Sequence, residues 1–141
     1  MDQHAAQVRS LVDGDIRAVP LFLGANPASV RHDGAVVSRP LGLEEDVAPA
    51  LVNALDGPAL RAAVVAHEAP ADICTGRSAR VAAIASEGVP ASVLSSEPRQ
   101  LLHRLVEIYL GRLAEPLARH HRRALDGGGW DHVPLPVARA G

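Results

Sequence analysis

Residues 97–125 read EPRQLLHRLVEIYLGRLAEPLARHHRRAL. Leu102, Leu105, Tyr109, Leu113 and Leu117 recur there at steps of three and four, the spacing that keeps side chains on one helical face. Leu101, Val106, Ile108 and Leu110 widen that face to roughly 200° of the helix circumference, twice the arc a surface helix needs. A helix so broad calls for cover from several sides, so the sequence predicts that it is the post around which the chain packs. Arg104, Glu107, Gly111, Glu115 and Ala118 fall on its opposite side and can meet water. Ser95 or Ser96 supplies the cap, with Glu97 and Pro98 in the first turn. Pro116 lacks an amide hydrogen, which predicts a kink near Ala114 or two packed pieces.

The rest of the composition agrees with a helical fold. The 141 residues fit one domain, and 48% of them are hydrophobic. Only Phe22, Tyr109 and Trp130 are aromatic, so the core has to be built from Leu, Val and Ala, which suits closely approaching helices. All 14 basic residues are Arg, a composition that suggests a GC-rich, bacterial-type genome. The net charge of −2 is unevenly placed: residues 1–60 carry eight acids against four Arg, and residues 98–125 six Arg against Glu107 and Glu115. Mutual attraction within one fold explains that asymmetry. A nucleic-acid surface is not expected, because no aromatic stacking platform accompanies the arginines. Cys74 stands alone, so no internal disulfide forms and a reducing, cytoplasmic location is expected. MDQHAAQVRSLVDGD resembles no signal peptide, and no run of 18 apolar residues could cross a membrane.

Upstream of the long helix the signals are shorter. Residues 2–12 can form a helix with Val8, Leu11 and Val12 on one side, and Gly14 to stop it. Residues 18–23 read as an extended segment, because Pro20 interrupts their apolar run. Asp33-Gly34, set between two short β-prone runs, predicts a hairpin over 29–38 that has to lie against the helices to be stable. Residues 43–55 form a helix with Glu44, Glu45 and Asp46 in its acidic first turn and Val47, Leu51 and Leu55 inward. Asp56-Gly57-Pro58 ends it and starts a second helix over 59–68. Residues 81–85 fit a strand or a short helix equally. The expected architecture is mainly α: one helical domain over 1–125, with a long central amphipathic helix and a small hairpin and extended segment near its start. A Gly/Pro-rich tail over 126–141 follows, irregular from Pro134.

Candidate chemistry is sparse. Cys74 lies near His67 and Asp72, so a thiolate with an imidazole base is conceivable; a small buried thiol is the plainer reading. His103 and Glu107 stand four apart, a spacing at which both side chains can reach one metal ion, and equally one at which they join a surface ion-pair cluster. His120 and His121 are adjacent, about 100° apart on a regular helix, and with Arg119, Arg122 and Arg123 they suit the helix dipole better than a metal. No GxGxxG, GxxxxGK[ST], GxSxG, HExxH or CxxC occurs, so no cofactor-binding motif is present and nucleotide binding is not expected.

Several phrases taken in order do resemble a known family. LFLGANPASV (21–30), SRPLGLEEDVAPALVNALDGPALRAAVVAHEAPADI (38–73) and SEPRQLLHRLVEIYLGRLAEPLA (96–118) are similar to the N-terminal half of the domain-of-unknown-function 3500 family. The resemblance spans residues 18–125. It implies no activity to carry over. Members of that family run much longer, with an aromatic-rich β region and a histidine-containing stretch that resembles a catalytic or metal site. GGGWDHV approaches the entry to that region before the sequence turns to PLPVARAG, so the resemblance implies a truncated relative.

Two functions follow as expectations. One is a non-catalytic helical interaction module that self-associates or binds a missing C-terminal half. The other is part of a metal-dependent enzyme, with His67, Glu68, Asp72, Cys74, His103 and Glu107 as its only chemical groups at hand.

Overall fold

The computed structural model describes residues 9–12, 15–18, 24–68 and 87–138. Two short strands come first, β1 (Arg9–Val12) and β2 (Asp15–Ala18), paired antiparallel with Leu11 opposite Ile16. The expected helix is thus corrected over 9–12. A lone short helix is marginal in water, whereas strand pairing gives both segments backbone partners. Residues 19–23 and 81–85, read above as extended and as strand or helix, lie outside the described residues.

The hairpin forms where Asp-Gly places it, from β3 (Val30–His32) and β4 (Ala35–Ser38). Asp33 and Gly34 both take left-handed backbone, at φ 49° and 80°, as a tight primed turn requires. Val30 pairs with Ser38 and Arg31 with Val36, which leaves Val37 outside the one-to-one register. All residues of both strands are exposed. The hairpin therefore projects from the helices, correcting the expectation that it lies against them. It is fastened at its base instead, where Arg39 bridges Glu45 at 2.9 Å and Asp46 at 2.8 Å.

Those two acids open α1 (Gly42–Asn53), which buries Glu44, Val47 and Leu51 at steps of three and four. The helix runs through Pro49, whose exposed ring meets water. Next comes α2 (Gly57–Ala63), capped by Asp56, whose carboxylate accepts the Ala59 amide at 2.8 Å. It stops at Ala63, short of the expected 68. Val64 and Val65 are β-branched, and the chain passes into β5 (Val64–Ala66), which pairs in parallel with β8 (Val137–Ala138).

After residue 86 the chain forms β6 (Val89–Pro90), a 3-10 turn (Ala91–Val93) and then α3 (Ser96–Leu110). Arg99 reaches back from α3 to the carbonyls of Ser92 and Leu94, at 2.7 and 3.1 Å, and locks that turn to the helix. Residues 111–114 break the long segment before α4 (Glu115–Asp126), which has Pro116 in its first turn. Of the two outcomes that Pro116 allows, two pieces is the one found. A second 3-10 turn (Gly129–His132) leads to β7 (Pro134–Leu135), antiparallel to β6. The irregular tail is thereby corrected over 134–138. Val133, Leu135 and Val137 alternate, and all three pack on the core.

The architecture is mainly α, as expected. The core joins Leu51, Leu55, Ala63, Val89, Ala91, Leu94 and Leu102, with no aromatic side chain among them. α1 packs along α3. The wide arc of α3 is not wholly covered: Leu102 and Leu110 are buried, Leu101, Leu105, Val106 and Ile108 half-buried, and Tyr109 is 50% exposed. No helix among the described residues is long and apolar enough to cross a membrane.

Leu51→Ala should lower stability by about 2–5 kcal/mol, because it empties the centre of the core. A urea midpoint no lower than that of Leu43→Ala, where the side chain is 58% exposed, would contradict that core. Gly88 takes φ +103°, and a Cβ there would lie 2.4 Å from the Leu135 carbonyl oxygen. Gly88→Ala should cost at least about 1–3 kcal/mol and loosen β7, read by the thermal midpoint and by amide exchange along 133–137.

Candidate functional site

The break between α3 and α4 brings several polar side chains together. Its first component is an ion pair across the fold. Glu44, in the first turn of α1, is only 8% exposed, and its carboxylate meets the guanidinium of Arg112 in the connection after α3. The other terminal nitrogen of Arg112 is buried and has no hydrogen-bond partner among the described residues. The guanidinium carbon also lies 5.5 Å from the ring centre of Tyr109, within cation–π range. The acidic residues 44–46 suggest only a dipole effect in the sequence. Here one of the three points inward, and the other two hold Arg39.

The second component involves the expected metal pair. His103 and Glu107 share a flank of α3 but engage different partners. Glu107 accepts from Nε of Arg122 on α4, at 3.0 and 3.2 Å to its two oxygens. Arg122 also stands 3.7 Å from Glu115, which has Arg119 at 3.6 Å. The imidazole of His103 stacks on the indole of Trp130, ring centres 3.6 Å apart and planes 8° from parallel. Both rings are half-buried. Nothing in the sequence pairs Trp130 with His103. The nearest signal is the Gly127-Gly128-Gly129 run before Trp130, where Gly128 takes φ +105° and turns the chain back toward α3.

His67 is exposed just beyond β5, while Asp72 and Cys74 fall outside the described residues, so the thiolate arrangement has no geometry to report. His120 and His121 meet edge-on, with ring centres 5.7 Å apart. Among the described residues, no group of three or more His, Cys, Asp or Glu side chains is placed to hold a metal ion.

The base of the hairpin is a strongly polarised exposed cluster. Hydrogen bonds from Arg39, and secondarily its charge, hold the Asp46 carboxyl below the usual carboxylate range, and the charge of Arg104 adds to this. The same two acids push the Arg39 guanidinium up.

A family model described as Protein of unknown function (DUF3500) matches residues 3–135. The match takes in the segments before residue 18 and after residue 125. The expectation that the likeness is confined to an N-terminal half, over 18–125, is thereby corrected. No curated protein and no solved structure matches the chain.

Two outcomes follow from this geometry. Glu44→Ala and Arg112→Ala should each cost about 3–5 kcal/mol by stranding a buried charge, and the double variant should cost clearly less than their sum. Additive losses in urea melts would show that the pair is uncoupled. The depressed carboxyl of Asp46 contributes stability that is present above the ordinary Asp range and lost as pH falls through its lowered value. Arg39→Ala should return the Asp46 titration, followed by carboxyl NMR shifts, to the ordinary range near about 3.9.

Proposed function

This chain belongs to the DUF3500 family, and from that footing we propose that it acts as a helical interaction module which self-associates through its projecting hairpin. One observation supports the reading: Val30, Val36 and Val37 are 43%, 45% and 59% exposed on a ribbon with both faces open. A two-stranded ribbon exposed on both faces is marginally stable alone, so added cover stabilises it.

Charge favours a second copy of the chain as that cover. β4 reads AVVS and carries no ionisable side chain, so two copies can lie edge to edge without opposing like charges. β3 carries Arg31 and His32, which would oppose their own copies across a two-fold axis. The Arg39 bridges to α1 keep the ribbon at a fixed angle, and a preset angle lowers the ordering cost of association.

Sedimentation of the full chain over a hundredfold concentration range tests this. The wild type should shift from monomer to dimer, and the double variant Val36→Asp, Val37→Asp should remain monomeric. Because both valines are exposed, the melting temperature of the variant at low concentration should stay close to that of the wild type. A wild type that is monomeric throughout the range removes the reading.

A further inference from the structure

We propose that the His103–Trp130 stack is a pH-sensitive clasp that fastens the returning segment 129–138 onto α3, holding it more firmly when the imidazole is protonated. The observation is geometric: two rings 3.6 Å apart and 8° from parallel, one on α3 and the other in the turn that opens the returning segment. A neutral imidazole over an indole gains stacking. An imidazolium in the same place gains in addition the attraction of a cation for the negative face of the ring, strongest for Trp.

What the clasp holds is substantial. Beyond Trp130 the segment supplies the Val133 carbonyl that accepts the Ala91 amide at 3.0 Å, then β7 against β6 and β8 against β5. Val133, Leu135 and Val137 pack against the core. Loosening the clasp therefore releases cover from two strand fragments and one edge of the core together.

Most of the charged neighbours are engaged in ion pairs or hydrogen bonds. On α3, Arg99 is bound to the Ser92 and Leu94 carbonyls, and Glu107 is engaged by Arg122 of α4. On α1, which packs on α3, Glu44 is held by Arg112, and Glu45 and Asp46 by Arg39, with Arg104 near Asp46. His121 of α4, and Asp131 and His132 beside Trp130, complete the set. Imidazoles change their charge across about pH 5–8, so His121 and His132 are told apart from His103 by substitution. The sign follows by linkage. A contact that favours the protonated ring contributes fully at the acid end and weakens as pH rises through that interval.

Trp130 is the only tryptophan, so its fluorescence reads the contact directly. In the full wild-type chain, emission should be quenched at about pH 5 and recover toward pH 8, because an imidazolium in contact quenches an indole. Over the same range, exchange of the Ala91 amide, corrected for its intrinsic pH dependence, should quicken about two- to fivefold, the size of an exposed cation–π contact. His103→Phe keeps a flat ring without a proton and should retain the protection while losing both pH dependences. His103→Gln should lose both protection and pH dependence. His121→Gln and His132→Gln should each behave as wild type. Wild-type emission that is flat from pH 5 to 8, or a titration that persists in His103→Phe, overturns the proposal. Should His103→Phe fail to melt cooperatively, the wild-type titration and its survival in both His121→Gln and His132→Gln still decide the matter.

Discussion

The missing amide hydrogen of Pro116 is the constraint on which the rest of the structure depends. In a continuous helix, Glu107 and Arg122 would stand about 22 Å apart along the axis, at 1.5 Å per residue. They stand 3.0 Å apart because the helix ends at Leu110 and restarts at Glu115, with Pro116 where no amide is needed. The same break turns Arg112 toward Glu44, and it lets the chain return far enough for Trp130 to reach His103, 27 positions earlier. Without it the apolar arc of α3 would have no returning segment beside it.

That return also accounts for how a chain with few aromatic residues closes its core. Leu51, Ala63, Val89 and Leu102 are small or aliphatic and pack closely, but the strand fragments around them are two or three residues long. Fragments of that length do not hold register alone. β5 and β6 each receive a partner from the one returning segment, and Gly88 makes the approach possible by presenting no Cβ to the Leu135 carbonyl. The residues of the segment alternate between core and surface, so the backbone pairing and the burial of Val133, Leu135 and Val137 reinforce each other.

What could be read beforehand divides by the range of the interaction. Asp33-Gly34, the Asp56 cap and the Pro116 break are local rules, and each is found where its residues stand. Val64-Val65 read as helix because a short apolar run looks the same in either state, and its strand partner lies more than seventy residues away. The marginal stability of a lone ribbon predicted that the hairpin lies against the helices, yet that argument does not say which surface covers a ribbon. His103 was legible as a chemical residue at helical spacing, but its actual partner is an indole from beyond α4. Spacing within a helix cannot reveal what approaches it from outside.

The distribution of charge shows how far sequence asymmetry can mislead. Residues 98–125 carry four more positive than negative side chains, an apparent basic surface. Most of those arginines are engaged: Arg99 with two carbonyls, Arg112 with Glu44, Arg119 with Glu115, and Arg122 with Glu107. Among the described residues, only the Arg112 bridge crosses from the acidic part of the chain to the basic part, and there it is also the most buried, so salt screens it least. The other pairs are exposed, and each contributes little to stability. Among the described residues, attraction between the two parts works chiefly through the buried contact at the break after α3, with the charge of Arg104 acting on Asp46 besides. The surface pairs chiefly fix the angles at which the hairpin and α4 leave the core.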